Sequence, residues 1–167
     1  ILVLILKIPT ILTSPRVEVA WESLSELVVL LTAALVLAAP GKRGVRIAQL
    51  AFGAALIPFG LSHFFYLKMT APLIPKWIPH HTALAYLTGA AHLAAGVGVL
   101  AGVCARLAAS MEALMLALFT VIVWLPQVAA TPASQGVLSE FAASWAMSAG
   151  AWVVATSIAK RKAGSAR

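Results

Sequence analysis

The chain has no aspartate, and its only acids are five glutamates, set against twelve lysines and arginines in 167 residues. Charged residues make up 10% of it, where a soluble domain carries about 25%. There is one cysteine, Cys104, so no internal disulfide can form; it reads as a small residue at a helix end. No CxxCH for covalent haem attachment, no phosphate loop, no Rossmann fingerprint and no nucleophile–base pair is present. What fills the chain instead is apolar: 62% hydrophobic residues and a mean hydropathy of +0.98, against about 45–50% apolar residues in soluble domains.

The apolar residues are gathered into continuous runs long enough to cross a hydrocarbon core roughly 30 Å thick. Because the runs do not alternate, they read as helices and not barrel strands. Five spans follow, at about 21–39, 47–67, 83–103, 112–130 and 141–159. The predicted fold is an all-α, polytopic transmembrane helix bundle embedded in a lipid bilayer. A net charge of +7 then needs no nucleic acid to explain it. Lys42, Arg43, Arg46, Arg106, Lys160, Arg161, Lys162 and Arg167 fall on one side, and Lys7, Arg16, Lys68 and Lys76 on the other. The richer side belongs in the cytoplasm, which puts the C-terminus inside and the 68–82 and 131–139 loops outside.

Residues 1–13 are apolar but too short to span, and they lack the basic start and small-residue cleavage site of a signal peptide. KIPTILTSP at 7–15 matches WLPQVAATP at 124–132, with Pro9 on Pro126 and Pro15 on Pro132 at an offset of 117. After one residue of slippage Glu22 falls on Glu140, Ala33 on Ala151 and Val36 on Val154. The expectation is a duplication: residues 1–45 are the remnant of an upstream copy, comprising a helix end and one span. Residues 46–159 form a four-helix unit, and 160–167 a basic cytoplasmic tail.

Packing signals lie on the second and third spans. Gly53 and Gly60 share one face, Gly89 and Gly96 another, and Gly98 and Gly102 form a GxxxG. Small residues let helix backbones approach in lipid, so these two helices are expected to touch. The fifth span offers Ala142, Ala143, Ser148, Ala149 and Gly150, and the hydroxyls of Ser62, Thr88 and Ser148 can bond within the bundle.

All four histidines fall between residues 63 and 92. His63 counts as one turn from the outer surface, and His80 and His81 as interfacial. His92 counts as roughly 15 Å deep, about 9 Å below His63. An ionisable group inside a membrane is a functional candidate; the alternative is a neutral histidine bonded across a helix interface. A bis-histidine haem would need two of them level, which this count opposes. Zinc on His80, His81 and a third ligand is opposed by the angle of about 100° between neighbours on a helix. Lys76 and Trp77 read as interfacial anchors. Glu140 and Glu112 read as carboxylates near helix N-termini, favoured by the dipole, with Glu140 also able to pair with His63, Lys76, His80 or His81. The outer end thus gathers His63, Tyr66, Lys76, Trp77, His80, His81, Trp124, Gln127 and Glu140. Such rings and donors suit a quinone head group, a small lipophilic ligand or a docked periplasmic partner.

GLSHF at 60–64, PKWIP at 75–79, YLTG at 86–89, GVGVL at 96–100 and the VWLP that closes the fourth span resemble the DoxX and DoxX-like family of small bacterial membrane proteins. The likeness covers about 46–159. It implies a four-helix bundle in the bacterial inner membrane with a redox association, since some relatives are subunits of thiosulfate:quinone oxidoreductase and others belong to oxidative-stress complexes. Where relatives often carry an acid after the third-span glycine, this chain has His92. Three readings compete: a redox-linked subunit meeting quinone near its outer face, a non-catalytic scaffold whose glycine-lined faces pack other helices, and a small transporter.

Overall fold

The computed structural model describes the backbone of residues 18–163 and the side chains of 21–159. The expectations for residues 1–13, for Lys7, Pro9, Pro15 and Arg16, and for the basic side chains from Lys160 onward lie outside the described residues. Among the described residues every regular element is helical. Helix α1 covers Glu18–Ala38, α2 Lys42–Phe65 and α3 His81–Ala101. Helix α4 runs over Ala105–Ala130, passing through a π-helical stretch at Thr120–Trp124, and α5 covers Gln135–Ala163. All five are long and apolar enough to cross a membrane. The chain is an all-α, polytopic transmembrane bundle, with five spanning helices among the described residues.

Three helices begin five or more residues before their apolar runs. Helix α2 starts at Lys42 and not Ile47, α4 at Ala105 and not Glu112, and α5 at Gln135 and not Phe141. Helical hydrogen bonding continues past the apolar core into polar ends, which hydropathy does not register. Glu112 is therefore not at a helix N-terminus; it lies two turns inside α4.

The connections set an antiparallel path. Residues 39–41 join α1 to α2, and 131–134 join α4 to α5. The α3–α4 turn, 102–104, is as short as the α1–α2 one, with Gly102 at φ 75° and Cys104 at φ 47° both left-handed. Cys104 thus occupies a strained turn position at the start of α4. Between α2 and α3 the chain makes a one-turn helix at Leu67–Thr70 and a 3-10 turn at Ala71–Leu73. This segment is tied to α3 by His81, whose Nε2–H donates to the Pro75 carbonyl at 3.1 Å.

Consecutive helices pack side by side, and α1 closes the ring by packing on both α2 and α5. Helices α2 and α5 also touch, inside the ring. The core is small and apolar: Val29, Val36, Phe52, Leu56, Val99, Leu116, Val154 and Ile158, with alanines between them. Large side chains such as Leu37, Phe65, Leu87 and Leu107 point outward, as expected where the solvent is lipid.

The α2–α3 contact is made by the glycines. A Cβ on Gly60 would meet the Gly89 carbonyl at 2.8 Å and the His92 Cβ at 3.0 Å, and one on Gly96 would meet the Gly53 carbonyl at 3.0 Å. Gln49 reinforces the contact by donating from Nε2 to the Val99 carbonyl at 2.7 Å. Across α4 and α5, Ser148 donates to the Ala113 carbonyl at 3.0 Å. Of the other expected hydroxyls, Ser62 bonds its own helix at Phe59. Ala142 and Ala149 face outward.

This packing predicts a position-specific cost. A Cβ at Gly89 would lie 2.7 Å from both the His63 Cβ and the Phe64 ring, whereas one at Gly136 meets nothing within 4 Å. Gly89→Val should lower stability by about 1–3 kcal/mol in detergent unfolding titrations, while Gly136→Ala should leave the midpoint within error.

Candidate functional site

The glycine contact decides what stands next to what. With Gly60 against His92 and Gly89 against His63, the two histidine rings stack, their centroids 5.4 Å apart and their planes 29° from parallel. The 9 Å depth difference read from residue counts does not separate them. Side chains on a helix lean toward its N-terminus, and α2 and α3 are antiparallel. His63 leans inward and His92 outward, so each closes part of the gap. Stacked rings direct their in-plane nitrogens past one another, so the pair does not offer two axial ligands to one iron.

Below His63 the site is fully enclosed. His92 and Glu112 side chains are both 0% exposed, with His92 Nδ1 2.8 Å from Glu112 Oε1. The pair spans α3 and α4 because each residue lies ten positions from Gly102 in the tight turn, and equal distances along an antiparallel hairpin give equal depth. One proton held between them makes the pair neutral overall, either as imidazolium against carboxylate or as imidazole accepting from a carboxyl; the 2.8 Å separation suits both. Phe59 packs edge-on to His92 with centroids 4.7 Å apart, and Phe119 lies 6.2 Å away. Three polar atoms of this group, His63 Nδ1, His92 Nε2 and Glu112 Oε2, are buried without a hydrogen-bond partner.

Toward the end carrying the 66–80 segment, His63 forms part of the wall of a cavity of about 110 Å³. Helix α1 contributes Glu22 and Glu26, one turn apart and on one face. Helix α5 contributes Glu140 and Ser144, α4 contributes Phe119, Val123 and Trp124, and Thr70, Leu73 and Ile74 of the 66–80 segment close the top. The π-helical stretch of α4 sits at this wall. It inserts an extra residue per turn, a distortion found often at functional sites. Thr120, at its start, donates to or accepts from Ser144 at 2.7 Å, and is 2.9 Å from the Leu116 carbonyl.

Of the residues expected at the site, His63, Trp124 and Glu140 line the cavity, and His92 lies directly beyond His63. The others stand elsewhere. Lys76, Trp77 and His80 are exposed in or beside the 66–80 segment, and His81 is occupied with Pro75. Tyr66 caps the end of α2, and Gln127 donates to the Val123 carbonyl of its own helix at 3.3 Å. Among the described residues no group of three His, Cys, Asp or Glu side chains could hold a metal ion. Residue counting missed Glu112, Glu22, Glu26, Phe59, Phe119, Thr120 and Ser144. The i, i+4 spacing of Glu22 and Glu26 and the symmetry of His92 and Glu112 about Gly102 were the available signals.

The arrangement is a membrane-spanning bundle with a chain of titratable groups running from a carboxylate-lined cavity to its middle. Residues 50–154 match the model of a domain of unknown function, DUF8561, and the chain belongs to that family. That match takes in His63, His92, Glu112 and Glu140 but not α1. No curated protein and no solved structure matches the chain.

Breaking the pair from one side strands the other partner in a dry interior. His92→Ala and Glu112→Ala should each cost about 3–5 kcal/mol, and the double variant clearly less than their sum. A double-mutant cycle in detergent unfolding reads this directly; additive losses would show that the two side chains are not coupled.

Proposed function

We propose that this protein is a multi-pass subunit of the bacterial inner membrane that receives a small lipophilic ligand, of which quinone is the candidate, in the cavity beneath the 66–80 segment. The observation that carries this reading is the succession of groups from His63 in the cavity wall, through the His92 ring stacked on it, to Glu112 hydrogen-bonded to His92. A buried ionisable pair in a membrane is costly, and a packing role alone would be served by apolar side chains of the same volume. His63, the ionisable group of this set that borders the cavity, is placed to give or take the ligand's proton.

The lining fits a flat ring. Phe59, Phe119 and Trp124 supply aromatic faces, and Thr88 and Ser144 supply hydroxyls. A bound quinone would supply the redox chemistry itself. The protein's part is to hold the ring, to exclude water through the Leu73 and Ile74 cover, and to keep a proton on the His92–Glu112 pair within reach of His63. The resemblance to DoxX-like proteins supports a redox-linked role. Under the scaffold reading a partner would have to use faces other than the α2–α3 contact, where Gly53, Gly60, Gly89 and Gly96 are occupied.

The distribution of basic residues supports an outward-facing cavity and a cytoplasmic C-terminus. Lys76→Cys, at an exposed position, should react with a membrane-impermeant maleimide in intact cells when Cys104 is replaced by Ser; reaction only after the cytoplasmic side is opened would reverse the orientation.

The ligand reading is tested by purifying the full chain in mild detergent, extracting it with organic solvent and analysing the extract by mass spectrometry. A stoichiometric lipophilic molecule is expected, retained on the wild type and reduced about tenfold or more on His63→Ala at equal membrane insertion. Equal recovery from both proteins, or none from either, would defeat the proposal.

A further inference from the structure

The rings of His63 and His92 stack without a hydrogen bond between them, since His63 Nδ1 and His92 Nε2 both lack a partner. A proton passes between groups that are in hydrogen-bond reach, directly or through one water. The stack alone therefore does not exchange a proton with the His92–Glu112 pair. The pair has a second approach to the cavity. Glu112, on α4, borders a void of about 10 Å³ whose wall also holds Glu26 of α1. One water needs ~10–15 Å³. Only one oxygen of Glu112 is taken by His92: Oε1 is bonded, and Oε2 is buried without a partner. Glu26 lines the cavity as well as the void. One carboxylate thus stands in both walls, and the void separates it from the unpartnered oxygen of the other.

We propose that this void binds one internal water between Glu112 Oε2 and the Glu26 carboxylate, and that this water is the proton route between the buried pair and the cavity. The inference rests on the ligand reading only for the use to which the proton is put. A buried carboxylate oxygen needs a donor when ionised and an acceptor when protonated, and leaving it unmatched is costly. Water meets both needs, because it donates and accepts. The rest of the wall is apolar, with Val29, Leu56 and Phe59 among its residues, so the two carboxylates supply the polar partners that a buried water requires. Glu26 takes part in another interaction of its own, and a carboxylate with about four acceptor positions keeps room for a water beside it. In the transfer His92 stays neutral and donates from Nδ1 to Glu112 Oε1. The O–H bond on Glu112 Oε2 and one O–H bond of the water break. One O–H bond forms on the water and one on Glu26. The water is restored, the pair passes from neutral to a single negative charge, and Glu26 passes from a single negative charge to neutral. The reverse step reloads the pair from the wall that His63 shares.

The test uses the full chain in lipid nanodiscs and proton-detected NMR. Val29 and Leu56 line the void and not the cavity, and both are buried. In the wild type, with methyl-labelled valine and leucine, their methyl groups should show cross-peaks to water. Val29→Ile adds a methyl group to the void and should remove the Leu56 cross-peak. No cross-peak at either methyl in the wild type overturns the proposal without any substitution. The route is read from solvent exchange of the His92 ring proton in protein labelled with 15N-histidine. Exchange should slow about tenfold or more in Glu26→Gln, which keeps the side-chain shape but cannot take up the proton. It should hold its rate in His63→Phe, which keeps a ring against His92. Thermal unfolding checks the fold of each variant. Exchange unmoved by Glu26→Gln, or slowed as much by His63→Phe, overturns the route. The ligand reading is decided separately by solvent extraction and survives either failure.

Discussion

The close approach of α2 and α3 is the constraint on which the rest depends. In lipid there is no hydrophobic gain from bringing two helices together, so contact must come from shape and from polar bonds. Four glycines supply the shape: Gly53 against Gly96 and Gly60 against Gly89, each pair at a separation that a Cβ would close to 3.0 Å or less. Only at that distance do His63 and His92 stack. A wider spacing would put lipid or an apolar side chain between them and cut the cavity off from the buried pair.

The second determinant is the α3–α4 turn. Two left-handed residues, Gly102 and Cys104, reverse the chain tightly enough that positions equally distant from Gly102 meet. His92 and Glu112 meet in this way. Neither could be held alone at full burial without a large desolvation cost, and together they neutralise each other when one proton is present. The turn thus does for depth what the glycines do for distance. Phe59 and Phe119 then pack around the pair and keep it from water.

The class of fold was plain from the runs of apolar residues, because spanning length and continuous hydrophobicity are forced by the bilayer. The glycine contact was legible too, since small residues repeated at seven on neighbouring helices leave few other uses. The site was legible only in part. His63 and Glu140 were expected at one end of the bundle, and both line the cavity. Lys76, Trp77 and His80 were expected there on grounds of residue type, but a loop residue's type does not say whether it turns inward, and these three turn outward. Glu112 was misread because the apolar run begins there, whereas the helix begins at Ala105. His63 and His92 were placed apart because counting along two helices ignores which way the side chains lean.

Helix α1 changes what the site is. The histidine path, Glu112 and Glu140 all fall within residues 50–154 of the family match, but Glu22 and Glu26 do not. They reach the cavity because α1 packs into the ring against both α2 and α5, with Val29 and Val36 in the common core. The residues of the site therefore come from two parts of the chain. The four-helix unit by itself supplies the stacked rings, the buried pair and one carboxylate. The preceding helix adds Glu22 and Glu26 to the cavity wall. A different helix in the place of α1 would leave the His63–His92 stack and the His92–Glu112 bond in place and change the residues that line the cavity on that side. The stacked histidines and the buried pair are thus built by the unit alone, and the cavity wall by the unit together with its neighbour.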